Sequence, residues 1–284
     1  MRQSSRLYGI IILILLALAL TIWTALWREE RQGVLTVSFF NIGQGDATFI
    51  DAPSGRQVLI DGGPNSSVLR ELGKVMPWYD RSIDVVIGTH PDADHIGGFI
   101  DVLPRYSIAT IFQSSVIGST ATWNTFERDI AREDAKIVTA RRGQVIDLGR
   151  GAYLEVLSPD RAVKNTDTNI ACVVTRVVYG ATSFMLPCDA PQDVENYLVS
   201  LDGKNLKSDV LKPGHHGSKT ASSPLFVGFV DPSYAVYSRG CDNKYGFPHQ
   251  ETIATFARFG IPTLDTCTDG TITFVSDGQT VARK

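Results

Sequence analysis

The chain has 284 residues, of which 43% are hydrophobic and 20% charged, with a formal net charge of −3. That composition supports one large α/β domain or two small ones and argues against disorder. Four arginines and two glutamates precede Val34, which leaves 23 Lys+Arg against 28 Asp+Glu in the remainder. A domain near −5 has no global basic field, so any nucleic-acid binding needs a local patch.

Leu7 to Trp27 reads LYGIIILILLALALTIWTALW and carries no charge. A stretch of about 20 apolar residues spans a bilayer. Arg2 and Arg6 precede it, and Trp23 and Trp27 fall where an interfacial aromatic belt would lie. The predicted layout is a tail over 1–6, a transmembrane anchor or signal segment over 7–27, a linker over 28–33 and a domain over 34–284. Cleavage at the small-x-small Ala17-Leu18-Ala19 would leave an apolar stub. An uncleaved single-pass anchor is therefore preferred over secretion. Arg28 and Arg31 beside Glu29 and Glu30 leave the orientation open, with the domain placed on the extracytoplasmic side. No obligate protein partner is evident.

Val34–Phe40 reads as a strand, followed by the turn Asn41-Ile42-Gly43-Gln44-Gly45-Asp46 and strands over Ala47–Ile50 and Gln57–Asp61. Asp46 and Asp61 then sit at loop positions, as turn residues or as supports for a site. A helix is predicted over 68–75, capped by Ser66 or Ser67, then a buried strand Asp84–Ile87. The loop after it is Thr89-His90-Pro91-Asp92-Ala93-Asp94-His95-Ile96-Gly97-Gly98, and a helix starts at Phe99. Two His and two Asp within six residues repel or desolvate one another unless something binds them, and a divalent cation does so directly.

Further strands are predicted at Ala109–Phe112, Lys136–Thr139, Gln144–Leu148 and Ala152–Leu157, with a helix over 122–135. Asp167-Thr168-Asn169 closes a polar loop. Ile170–Tyr179 and Ser183–Leu186 read as a hairpin that ends at Asp189, before a helix over 192–199. Asp209–Leu211 is a short strand running into Lys212-Pro213-Gly214-His215-His216-Gly217-Ser218. Strands at Tyr234–Ser238 and Thr271–Val275 and a helix over 251–259 complete the chain. All five histidines, His90, His95, His215, His216 and His249, fall in loops after strands, which points to one shared site. Two mixed sheets packed together with helices outside fit this order. None of Cys172, Cys188, Cys241 and Cys267 forms a C-x-x-C pair. Cys241 and Cys267 either pair across neighbouring strands or stay as buried thiols.

Asn41–Ala47, Leu59–Gly63, Thr89–Gly98, Asp189 and His215–Ser218 resemble the metallo-β-lactamase fold superfamily, and more narrowly the C-terminal domain of ComEC-type competence proteins. The resemblance covers Val34 to the C-terminus. It implies a four-layer αβ/βα sandwich holding one or two divalent metal ions, and hydrolysis of an ester or phosphodiester by metal-activated water. Residue by residue, it implies His90, Asp92, Asp94, His95, Asp189 and His215 as metal ligands, with Asp189 bridging. Asp94, His216 and His249 are the expected catalytic groups, although which member of the His215/His216 pair binds metal stays open. Asp46, Asp61, Asn169, Lys212 and Ser218 are expected around them, in support of the ligands or the substrate.

Four departures qualify the match. Asp92 stands where a second His is more common, and no His lies between Gly98 and Asp189. The Gly-Asp pair is Cys188-Asp189, and Phe247 replaces the His of a Tyr-Gly-His-Pro loop, with His249 two residues on. The first two are usual for the ComEC-type branch, which also has an Asn near Asn169. Oxygen-rich ligation favours Mn²⁺ or Mg²⁺ at least as strongly as Zn²⁺. ComEC-type proteins carry a multispan channel beside this domain, whereas one apolar segment is expected to leave it as a domain on an anchor. The leading expectation is a membrane-anchored nuclease or phosphodiesterase acting on DNA, with Lys204, Lys207, Lys212, Lys219 and Lys244 as a local basic set. Hydrolysis of small esters, lactones or nucleotides is the alternative, as is a binding module with a decayed site.

Overall fold

A computed structural model describes residues 2–29, 33–161 and 167–284, with side chains over 6–24 in the first stretch. Met1 of the expected tail, residues 30–32 of the expected linker and the side chains of Arg2, Trp27 and Arg28 lie outside the described residues. The chain divides into two units, Met1–Gly33 and Val34–Lys284. The first holds a helix, Arg2–Glu29, whose segment Arg6–Thr24 has a mean hydropathy of 2.5 and is long and apolar enough to cross a membrane.

The second unit is a two-sheet α/β sandwich, as the sequence predicts. In chain order its strands are β1 Leu35–Phe39, β2 Thr48–Asp51, β3 Gln57–Ile60, β4 Ser82–Gly88, β5 Ser107–Gln113, β6 Lys136–Thr139, β7 Val145–Gly149 and β8 Ala152–Ser158. There follow β9 Val174–Tyr179, β10 Thr182–Leu186, β11 Val210–Leu211, β12 Tyr234–Tyr237, β13 Thr263–Asp265, β14 Ile272–Ser276 and β15 Val281–Arg283. One sheet has the order β15-β14-β1-β2-β3-β4-β5-β6 and the other β13-β12-β11-β10-β9-β8-β7.

Strand alternation sorts the apolar residues into three layers. Val37, Phe39, Ile60 and Ile87 face Val156, Phe184, Leu186 and Val236 between the sheets. Phe49, Leu59 and Val86 point the other way, onto Leu72, Phe99 and Phe126 of the helices. Met185, Leu211 and Ala235 do the same on the second sheet, against Leu198, Phe226 and Phe256. The strands β3, β4 and β5 run parallel, as do β10, β11 and β12. Their carboxyl ends open on one edge of the sandwich, where ligands bind in open α/β sheets.

Several element boundaries differ from expectation. The helix expected from Phe99 is two single turns, Ala93–Ile96 and Phe99–Val102, so His95 is helical rather than in a loop. Between them Gly98 packs on the backbone at Gly62, where a side chain would strike the Gly62 carbonyl. The helix over 122–135 stops at Ile130, with Ala131 as its C-cap. Residues 170–173 do not extend β9. Thr168–Ala171 is a 3₁₀ turn capped by the Asp167 side chain, Ser114 Oγ donates to the Ala171 carbonyl at 2.7 Å, and Val173 N donates to Thr89 O at 3.0 Å. Those backbone groups are satisfied outside any ladder.

Candidate metal centre

The cluster is built on strand ends from both sheets. Asp61 follows β3, His90 follows β4, and Asp94 and His95 ride the short helix after it. Asp189 follows β10, Lys212 and the His215-His216 turn follow β11, and Ser238 follows β12. His215 and His216 hold consecutive positive φ angles of 51° and 55°, a left-handed turn that costs energy and aims the two rings apart.

Each buried ring is oriented by one nitrogen. His95 Nδ1 lies 2.7 Å from Asp61 Oδ2, and Asp61 also accepts from Thr89 N and Oγ1. His216 Nδ1 lies 3.0 Å from the Ser238 carbonyl, to which it donates, and this turns Nε2 toward Asp94 and Asp189. His90 Nδ1 lies 3.1 Å from Thr89 Oγ1. The Nε2 atoms of His90, His95 and His216, with Asp189 Oδ1, have no hydrogen-bond partner among the described residues. Such buried orphans are costly unless something binds them.

Two of those ring nitrogens face carboxylates. Asp189 Oδ2 lies 3.4 Å from His95 Nε2 and 3.5 Å from His216 Nε2, and Asp94 Oδ2 lies 3.3 Å from His216 Nε2. Adjacent ligand atoms around an ion with bonds of ~2.1 Å are about 3.0–3.5 Å apart. Of the five groups of three whose ligand atoms lie within 4.8 Å of one another among the described residues, two that overlap are His90, His95 and Asp189, and Asp94, His95 and His216. A divalent ion fits either group.

Charge points the same way. Asp46, Asp61 and Asp189 are buried, and Lys212, buried and paired with Asp46, is the ammonium that faces them. Burial opposes an imidazolium at His216, but Asp189 and Asp46 outweigh it and push its pKa up to about 10. Burial likewise opposes charge on His95, which Asp189 and Asp61 nevertheless raise well above the usual value. His90 is pushed down to about 3 by burial and then by His95. Burial would raise Asp94, yet His216 and His95 bring it down to about 2. The excess negative charge thus draws protons to the ring nitrogens that a cation would otherwise face.

Other expected site residues are placed differently. Asp92 is half-exposed, with Oδ2 3.7 Å from His90 Nε2 and Oδ1 accepting from Thr168 Oγ1 at 3.1 Å. His215, partly exposed, has Nε2 3.7 Å from Asp189, while His216 is buried with its Nε2 3.5 Å from Asp189. His249 caps the helix Gln250–Arg258, and its Nδ1 accepts from Lys219 N at 3.0 Å rather than reaching the cluster. The Phe247 ring lies between, with its centroid 5.6 Å from His215, 6.0 Å from His216 and 5.2 Å from His249. Asn169 follows Thr168, and its Oδ1 is buried without a partner among the described residues. Ser218 Oγ bonds Thr220 Oγ1 and closes the histidine turn.

The expected basic set is dispersed. Lys212 is buried on Asp46, Lys207 pairs with Asp231, and Lys204 and Lys207 line a separate cavity of about 570 Å³ with Leu225 and Phe229. Sequence reasoning missed the Ser238 carbonyl and Thr89, since a backbone acceptor leaves no residue-type signal. It also missed the Cys172–Cys188 bond, whereas Cys241–Cys267, one of two open options, is a disulfide.

A family model described as Metallo-beta-lactamase superfamily matches residues 41–240. The chain belongs to that superfamily. ComE operon protein 3 of Bacillus subtilis is 31% identical over 84% of this chain and 32% of its own length. Competence protein ComA of Neisseria gonorrhoeae is 30% identical over 86% of this chain and 32% of its own. The chain therefore resembles ComEC-type competence proteins but spans about a third of their length. Among solved structures, the metallo-beta-lactamase fold protein YhfI of Bacillus subtilis superposes with a TM-score of 0.57 at 13% identity, covering 86% of this chain and 99% of that one. That likeness concerns the fold.

Proposed function

We propose that the chain is a membrane-anchored, metal-dependent hydrolase of phosphodiesters, with DNA outside the membrane as its substrate. The observation that carries this reading is the convergence of three orphaned imidazole nitrogens and two carboxylates on one edge of the sandwich. His95, Asp94, His216 and the shared Asp189 would hold one ion, and His90 with Asp92 and Asp189 a second, weaker one. Bound divalent ions lower the pKa of water and stabilise charge on phosphoryl oxygens. The protein supplies orientation: Asp61 and the Ser238 carbonyl fix the rings, Lys212 balances Asp46, and Phe247 shields the His215/His216 side from water. The mixed oxygen and nitrogen donors suit Mn²⁺, Mg²⁺ or Zn²⁺, with the harder ions favoured beside Asp92.

The similarity to competence proteins supports DNA, and the apolar helix supports anchoring. Two disulfides support an extracytoplasmic domain, because such bonds persist in oxidising compartments. The domain's acidic charge and its dispersed lysines favour a second reading, hydrolysis of small phosphoesters or nucleotides. The full chain in detergent is assayed on single- and double-stranded DNA and on bis-p-nitrophenyl phosphate, with each metal added after chelation. We expect DNA cleavage that drops at least ~100-fold in His95→Ala and Asp189→Ala. Cleavage of the small ester alone supports the second reading. Protein that takes up no metal refutes both and leaves a binding module.

A further inference from the structure

Cys188 directly precedes the shared carboxylate Asp189 and has a φ of 45°. That left-handed conformation is strained for a residue with a Cβ, and glycine would adopt it freely. Its partner Cys172 caps the 3₁₀ turn Thr168–Ala171, whose Thr168 holds Asp92. The pair is woven into the cluster. Asp189 N donates to Cys172 Sγ at 3.1 Å, and His215 N donates to the Cys188 carbonyl at 3.0 Å. Both sulfurs lie within 4.8 Å of a ring nitrogen of His90, and all three residues are buried. A buried disulfide therefore shares a wall with the metal centre, facing a histidine whose Nε2 is unpartnered among the described residues.

A disulfide sulfur is a poor ligand, but two thiolates and an imidazole form a soft donor set that selects zinc. The Cα atoms of Cys172 and Cys188 are 6.4 Å apart, near the long end of the usual disulfide range, so the sulfurs can part without moving the backbone. We propose that Cys172, Cys188 and His90 form a zinc site that opens when the Cys172–Cys188 bond is reduced. The reductant is a dithiol. Its first thiolate attacks one sulfur to give a mixed disulfide, and its second releases Cys172 and Cys188 as thiols while the dithiol closes to a cyclic disulfide. Zinc then displaces the two thiol protons. His90 cannot serve both sites, so zinc held on the sulfurs removes it from the group with His95 and Asp189. This last consequence rests on the metal-dependent reading above, whereas sulfur ligation is read independently of any hydrolysis.

The test uses the full chain carrying Cys241→Ser and Cys267→Ser, so that the other pair contributes no thiol. Cobalt(II) stands in for zinc as the spectroscopic probe, before and after dithiothreitol, with thiols counted in each state. The expected result is a thiolate-to-cobalt charge-transfer band only after reduction, abolished by one equivalent of zinc. The same band should be absent in the further variant Cys172→Ser/Cys188→Gly. If the Cys241/Cys267 background folds poorly, the wild-type chain is compared directly with Cys172→Ser/Cys188→Gly, glycine suiting the φ of 45°. Two free thiols without the band overturn the proposal. So does a band that survives loss of Cys172 and Cys188, or a pair that dithiothreitol leaves oxidised in the folded protein.

Discussion

Gly45→Ala should damage the metal centre without touching a ligand. Gly45 has a φ of 133°, and a Cβ there would strike the Asp94 carbonyl oxygen, with the carbonyl carbon at 3.1 Å and Asp94 Cβ at 3.2 Å. The Asp94 backbone must retreat by roughly 1 Å to restore ordinary contact. That motion breaks the 3.1 Å bond from Asp46 N to Asp94 O and pulls Asp94 Oδ2 away from His216. A displacement of about 1 Å in a positioned group costs about 100-fold, or ~2.7 kcal/mol. Gly43→Ala is the control. Gly43 also has a positive φ, 85°, but nothing lies within 4 Å of the point where its new methyl would stand. Both variants carry backbone strain at a positive φ, and only one has the collision. Mn²⁺ affinity by equilibrium dialysis, with melting temperature alongside, separates the two terms. Equal metal affinity in Gly45→Ala and Gly43→Ala would refute the reasoning.

Asp61→Ala should weaken metal binding about 10–100-fold by freeing the His95 ring, read in the same dialysis assay. An unchanged affinity means that His95 is held by its packing alone. Glu195 is buried, and burial pushes its carboxyl up to about 7 although Ser223 and Ser222 N–H groups pull it down. A folded pKa above the unfolded one favours folding at low pH, and that gain is lost as pH rises through about 7. Glu195→Gln should therefore remove a stability decline of about 3 kcal/mol between about pH 4 and about pH 8, measured as the difference between urea titrations of the two proteins. Cys241→Ser opens the loop to Cys267, 26 residues on, and should cost about 3 kcal/mol in the same titration. A midpoint unchanged from that of the oxidised wild type would show that the loop is already constrained by its other contacts.

The first ligand loop was legible because its chemistry is local: His90, Asp92, Asp94 and His95 are crowded in sequence as they are in space. Asp189 and the histidine turn were legible as strand-end residues, and the layered sandwich as alternating apolar strands. What stayed hidden depends on long-range placement. The orientation of the His216 ring turns on the Ser238 carbonyl, 22 residues away, which any residue type could supply. Residues 170–173 read as strand because Ile170, Cys172 and Val173 look extended, while the bonds from Ser114 and to Thr89 that hold them come from distant segments. The lysines read as a patch because they are near in sequence, but Lys212 is buried on Asp46 and Lys207 is paired with Asp231.

The ligands of the centre are divided between the two sheets, with His90, Asp94 and His95 on one and Asp189 and His216 on the other. Metal affinity is therefore a gauge of the spacing between the sheets. A packing change at Phe184 and Phe274, whose rings meet edge-on 6.3 Å apart in the shared core, would reach the ligands as a small slide of one sheet over the other. An ion held by that cluster would act as a rivet, binding only when both halves are folded and in register, so that loading and global stability would rise and fall together.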